Sequence, residues 1–193
     1  MKSLVGSLVL LLLYLPLVSA QTGPAQGDHE LELWTGGGHS VGGGAGGISA
    51  WNVGLRYGWI LTRQYGPGIL HGQFEYAVDI VPVFWVFEPT TTAYGVVLDP
   101  IALKWDFQQR RHIVPYLELS GGTLFTSRDV PPGISQVNFA SGGASGLYFL
   151  VGKYAWSAEL RYTHISDAGL TNRNPGINTV QARLGISVFR HRR

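Results

Sequence analysis

The sequence predicts an all-β protein, an eight-stranded antiparallel transmembrane β-barrel, and three observations lead there. The first is an export signal. Met1-Lys2 is a short basic start, residues 4–18 are mostly apolar, and Val18-Ser19-Ala20 is a small-residue cleavage site, together the pattern of a secretory signal peptide. The apolar run is shorter than the roughly 20 residues a spanning helix needs. Residues 1–20 are therefore expected to be removed, leaving 21–193 as a single barrel domain. The second is composition: 27 Gly, 8 Phe, 6 Trp and 9 Tyr with only 13% charged residues suit many strands joined by tight turns. The third is alternation of polar and apolar residues over about eight segments, the smallest even number used by single-chain outer-membrane barrels.

Side chains alternate between the two faces of a strand, so each segment is read by parity. The first, 30–36, sets Leu31 and Leu33 against Glu30 and Glu32. The second, 51–63, carries Trp51, Val53, Leu55, Tyr57, Trp59 and Leu61 on one face and Asn52, Gly54, Arg56, Gly58 and Thr62 on the other. The third, 69–87, sets Phe74, Tyr76, Val78 and Ile80 against Gln73, Glu75 and Asp79. The fourth, 94–108, is less regular, and Pro100 predicts a bulge or break there. The fifth, 113–126, opposes Ile113, Leu117, Leu119 and Phe125 to Glu118 and Ser120; the sixth, 138–151, is rich in Gly and Ser and patterned most weakly. The seventh, 156–166, alternates Trp156, Ala158, Leu160 and Tyr162 with Ser157, Glu159, Arg161 and Thr163. The eighth, 177–189, opposes Val180, Ala182, Leu184, Ile186 and Val188 to Thr179, Gln181, Arg183 and Ser187.

The connections alternate in predicted length. Residues 37–50, 88–93, 127–137 and 167–176 are longer; 64–68, 109–112 and 152–155 are short. Long loops at one end and short turns at the other is the outer-membrane pattern, with the short turns in the periplasm. The first and seventh strands then run outward. An eight-stranded interior is filled by side chains, which argues against a pore. The inward candidates Arg56, Glu75, Asp79, Glu118, Glu159, Arg161 and Arg183 have mixed signs and are expected to form an ion-pair network. The formal net charge is +2 and the basic residues are scattered apart from the tail at 190–193, so no nucleic-acid footprint is present. The chain has no Cys, which excludes disulfides and a lipidated N-terminal Cys.

The most specific stretch ends the seventh strand. His164 and Ser166 share parity with Trp156, Ala158, Leu160 and Tyr162, so on a barrel they belong to the lipid-facing side at the extracellular end. Asn178 shares outward parity with Val180, Ala182 and Leu184 and lies across one hairpin from them. Polar groups on a lipid face are costly. A hydroxyl, an imidazole and a side-chain carbonyl together are the parts of a nucleophilic ester hydrolase: Ser166 attacks, His164 takes its proton, and a third group orients the imidazole. The plainer alternative is an interfacial girdle, with the three polar residues at headgroup depth and no chemistry.

The run His164-Ile165-Ser166-Asp167-Ala168-Gly169, followed by Asn174-Pro175-Gly176-Ile177-Asn178, resembles the signature of the lipid A 3-O-deacylase family of outer-membrane enzymes. The resemblance implies an eight-stranded barrel whose site faces the outer leaflet and hydrolyses the ester of the 3-position hydroxyacyl chain of lipid A. It assigns the nucleophile to Ser166 and the base to His164. The chain departs from the family pattern at two positions. Asn178 stands where the best-known members have an acid, and Asp167 stands where the family commonly has Asn. A carboxylate at 167 would repel an oxyanion, so the oxyanion hole is expected to use backbone N–H groups near Ala168 and Gly169. Arg173, in the same loop, is a candidate contact for a lipid A phosphate, and otherwise a solvated arginine.

No cofactor is implied. His39 and His71 are isolated from other ligands, so no metal site is expected. The expected partner is lipid A or lipopolysaccharide in the outer leaflet, and a homodimer is compatible with the sequence. The competing reading is a non-catalytic structural barrel on the same scaffold.

Overall fold

The structure is a computed structural model that describes residues 23–191. The expected signal peptide and the last two arginines lie outside the described residues. Eight strands form: β1 (Asp28–Ser40), β2 (Ser49–Ile60), β3 (Gly72–Phe87), β4 (Thr92–Phe107), β5 (Ile113–Thr126), β6 (Val137–Val151), β7 (Tyr154–Ser166) and β8 (Ile177–His191). Each is antiparallel to the next, and β8 returns to β1 from Asp28↔His191 to Ser40↔Thr179, closing the barrel. Closure is what a sheet needs in lipid, because no strand edge is then left unpaired where water cannot reach.

The expected eight strands and their faces are present, with three corrections. First, β2 ends at Ile60 and β3 begins at Gly72, so the connection that was expected to be a short turn at 64–68 spans 61–71. It is built on a bridge between Tyr65 and Gly72 and a 3-10 turn at Gly68–Leu70, with the His71 ring bonded to the Gly66 carbonyl at 2.9 Å. The loop at the other end of β3, 88–91, is shorter than this turn, so connection length alternates less cleanly than expected. Second, β3 carries an irregularity the parity reading passed over. Register shifts fall between Val81 and Phe84 and, in β4, between Leu98 and Ile101. Both bracket a proline, Pro82 and Pro100, which has no N–H to give to the ladder. The outward set changes from even to odd numbers at each.

Third, the interior is only half ionic. The lumen near the long loops is an apolar plug of Trp34, Val81, Phe84, Val86, Val97, Leu124, Ile165 and Ile177, with Ile48, Ala50, Ala93 and Val130. Below it lies the expected network. Arg56 pairs with Asp79 at 2.7 Å and Glu118 at 2.5 Å. Arg161 pairs with Glu118 and, at 2.8 Å, with Glu159, and Arg183 reaches Glu159 at 3.5 Å. A second ionic layer centres on Lys104, 3.0 Å from both Glu30 and Glu75. Inward glycines make room for large interior rings: a Cβ on Gly54 would stand 2.2 Å from Trp34, and one on Gly146 2.3 Å from Tyr116.

The outer face is apolar, with Leu55, Leu98, Leu119, Leu160 and Leu184 exposed. Aromatic clusters ring it near both ends. Tyr57, Trp59 and Tyr76 form one cluster and Trp51, Trp85 and Tyr94 the other, the placement of the two interfacial girdles of an outer-membrane barrel. Phe189 does not join them; it packs edge-on against Tyr148 inside the barrel.

Candidate active site

The site forms where β7 and β8 reach the long-loop end. Antiparallel pairing sets His164 directly opposite Asn178, and directly opposite residues on one face have Cβ atoms about 4.5–5.5 Å apart. The imidazole Nδ1 stands 2.7 Å from Asn178 Oδ1. The amide's other end donates to the carbonyl of Gly42, at 3.2 Å, in the first loop. Since Gly42 O can only accept, it takes the NH2 end of the amide. The oxygen end is left for His164, so Nδ1 carries the proton and Nε2 is free to accept one.

These residues keep the predicted outward parity but are not bare on the lipid face. Ser166 is 8% and Asn178 6% exposed, because the loops fold over the strand ends. Gly176 closes on the imidazole: a Cβ there would stand 2.9 Å from His164 Cε1. Its φ of 62° is the left-handed conformation glycine adopts without cost. Ser166 sits two residues beyond His164 on the same strand, opposite the exposed Phe139 of β6. Its hydroxyl makes no hydrogen bond with the imidazole in this structure. The sequence-predicted histidine and asparagine are thus joined, and the serine lies beside them.

Asp167 behaves differently from expectation. Its carboxylate turns into its own loop, accepting from the Gly169 N–H at 3.0 Å and from the Thr171 N–H and hydroxyl at 2.8 and 2.6 Å. The Thr171 hydroxyl and then these two amides hold it below the usual carboxylate range. The Gly169 N–H, expected as an oxyanion donor, is consumed by this bond. Ala168 is the other candidate, and its φ of 55° is unusual for a residue with a Cβ. Arg173 is exposed, with no ion-pair partner among the described residues, and lines a groove with Asn174, Pro175 and the tip of the 127–136 loop at 131–134.

Two neighbours escaped the sequence reading. Ser141 of β6 lies across from His164 on the flank opposite Asn178 and is exposed; its register was hidden in the Gly/Ser-rich pattern of that strand. Gly42 is 136 positions from Asn178, and no local pattern announces such a contact. His39 and His71 bond to the Ser49 hydroxyl and the Gly66 carbonyl. The described residues hold no group of three potential metal ligands.

A closed eight-stranded barrel with apolar outer walls and aromatic girdles defines a small outer-membrane protein, and the polar cluster at its long-loop end is its candidate site. The family model described as Lipid A 3-O-deacylase (PagL) matches residues 49–187, and the chain belongs to that family. No curated protein matches the chain. Among solved structures, the outer membrane enzyme PagL is similar with a TM-score of 0.59 at 18% identity, over 80% of this chain and 97% of that one. Neisserial surface protein A is similar with a TM-score of 0.55 at 18% identity, over 84% and 97%. The N-terminal β-barrel domain of Pseudomonas aeruginosa OprF gives 0.52 at 13%, over 84% and 98%. The likeness to these structures is one of fold, and the chain is a bacterial outer-membrane barrel.

Proposed function

We propose that this protein hydrolyses the ester holding the 3-position hydroxyacyl chain of lipid A, using Ser166 as nucleophile, His164 as base and Asn178 as the group that orients the imidazole. The observation that carries the reading is the His164 Nδ1–Asn178 Oδ1 bond of 2.7 Å on the lipid-facing side of a strand that places Ser166 two residues away. Family membership supports it, since the matched region contains all three residues.

In this reading Ser166 Oγ attacks the ester carbonyl carbon as its proton passes to His164 Nε2. The bond from that carbon to the sugar oxygen breaks, and the leaving alkoxide takes the proton. Water then attacks the acyl-serine with the same base, releasing the fatty acid and restoring Ser166. Apo sites often lack a tight nucleophile–base bond and gain it when substrate excludes water. The Ala168 N–H and the loop backbone near it are the candidate donors to the oxyanion. Arg173 is positioned to meet a phosphate from the loop side. No step requires a metal or cofactor.

The test is the refolded protein with lipid A in detergent, read by mass spectrometry for loss of one hydroxyacyl chain. Ser166→Ala should lower turnover by at least about 10³-fold with the barrel still folded. Ser141→Ala should retain turnover within about twofold, which separates the two serines that flank the histidine. No release from folded wild-type protein, on lipid A or on simpler esters, would instead leave a structural barrel.

A further inference from the structure

We infer that the first loop, 41–48, is a positioning element of this site: by holding the Asn178 amide in one orientation, it decides which nitrogen of His164 carries the proton. The kinetic consequence rests on the hydrolase reading above; the geometry does not.

An amide has two unlike ends. If its oxygen meets the imidazole, Nδ1 is protonated and Nε2 remains a base. If its NH2 meets the imidazole, the proton moves to Nε2 and no base faces the serine. A triad carboxylate has no such ambiguity, and replacing it by asparagine in a serine protease costs about 10⁴-fold in kcat through the wrong tautomer. Here the amide is turned the productive way, and the loop turns it. Gly42 O accepts from Asn178 Nδ2 at 3.2 Å. A rotated amide would set its oxygen against that carbonyl oxygen and forfeit the bond. An uncharged asparagine thereby presents only its acceptor, as a carboxylate would.

The loop is itself tied to the residues it positions. The Val41 N–H donates to the Asn178 carbonyl at 2.7 Å and the Ala45 N–H to the Gly176 carbonyl at 2.9 Å. Between these anchors Gly42 has open space around its Cβ position, but Gly43 and Gly44 lie close against the site. A Cβ on Gly43 would stand 3.0 Å from Asn178 Nδ2, and one on Gly44 2.8 Å from Gly176 O and 3.2 Å from its carbonyl carbon. Gly46, two residues on, has nothing within 4 Å of its Cβ position. The glycine run is thus selective: Gly43 and Gly44 are crowded against Asn178 and Gly176, while Gly42 and Gly46 do not need to be glycine for space. Neither Gly44 nor Gly46 has a positive φ, so substitution at either tests contact and not backbone strain.

The experiment compares full-length refolded wild type with Gly44→Val, Gly46→Val, Asn178→Asp and the Gly44→Val/Asn178→Asp double variant in detergent micelles. Two readouts are taken: the His164 tautomer from nitrogen-15 NMR at about pH 8, where an ordinary histidine is neutral, and turnover of lipid A. Wild type and Gly46→Val should hold the proton on Nδ1. Gly44→Val should move it largely to Nε2 and lower kcat at least about tenfold, with KM changed less than about twofold. In the Asn178→Asp background, Gly44→Val should cost less than about twofold, because a carboxylate has no donor end to misplace. An unchanged tautomer in folded Gly44→Val overturns the inference, and so does an equal loss in the Asp background. Should wild type release no acyl chain, the hydrolase reading falls while the tautomer still decides the role of the loop.

Discussion

Among single residues, Asp167 shows how a charge beside the proposed nucleophile, Ser166, can be harmless. A carboxylate free to face the serine would oppose an oxyanion, but this one is spent on the Gly169 and Thr171 amides and the Thr171 hydroxyl. Its job is to fold the 167–176 loop that carries the site's roof. Because these bonds favour the ionised form, its pKa is lowered in the folded loop. A lowered acid adds stability that is complete above the unfolded value, about 3.9, and is lost as pH falls through the folded value. Amide hydrogen exchange at Gly169 and Thr171 should therefore be equally protected from about pH 8 to 5 and lose protection only below about pH 4. Asp167→Ala should remove that protection at neutral pH, and unchanged exchange would mean the loop is held by something else. The outward placement of His164, Ser166 and Asn178 was legible in the sequence, because parity is a strict period of two. The direction of the Asp167 side chain was not, since a turn of this kind is a choice of rotamer among close neighbours. Gly42 was invisible for a different reason: its contact exists only once the barrel closes β1 onto β8.

At the scale of elements, the roof and the wall of the site obey different rules. The wall is the β7–β8 ladder, whose register follows from alternation. The roof depends on Gly176, where a left-handed φ coincides with close approach to the His164 ring. Gly176→Ala faces both penalties. The left-handed conformation costs a residue with a Cβ about 1–2 kcal/mol, and the new methyl would press on Cε1. Turnover should fall by about tenfold or more while the barrel still migrates as a heat-modifiable folded band. Full activity in a folded Gly176→Ala barrel would show that the imidazole does not work from this position. Elements also mark where reading by alternation breaks down. Phe84, Val86 and Val97 point inward only because the chain slips by a residue at Pro82 and Pro100, and a parity count carried straight through β3 sends its upper half to the wrong face. The proline in β4 announced its bulge in an already irregular segment. Pro82 sat in a segment apolar on both parities, where a slip leaves no trace in the pattern.

For the whole molecule, the interior determines how rigidly the outer site is held. The predicted mixed-charge lumen is present, but Lys104 was missed, because it lies beyond the Pro100 bulge where parity had been lost. It is fully buried, lies 3.0 Å from both Glu30 and Glu75, and bonds to the Tyr148 hydroxyl. That hydroxyl in turn donates to Glu30 at 2.6 Å, and Ser187 does so at 2.8 Å. One cation thus ties β1, β3, β4, β6 and β8 across the lumen. Removing one member of a buried ionic cluster leaves the others uncompensated and typically costs about 3–5 kcal/mol, whereas replacing the cluster by apolar groups of similar size is often neutral. Lys104→Met should therefore lower the urea midpoint of the barrel in micelles by a loss of that size. Lys104→Met combined with Glu75→Gln should recover part of it, because the double variant removes a buried negative charge along with the cation. The site lies in the upper, apolar half of the barrel and touches no member of this layer. The same Lys104→Met protein, assayed at a urea concentration where it remains folded, should keep the wild-type His164 tautomer and kcat within about twofold. A change in either at constant fold would show that the ionic floor, and not only the loops, sets the geometry of the histidine.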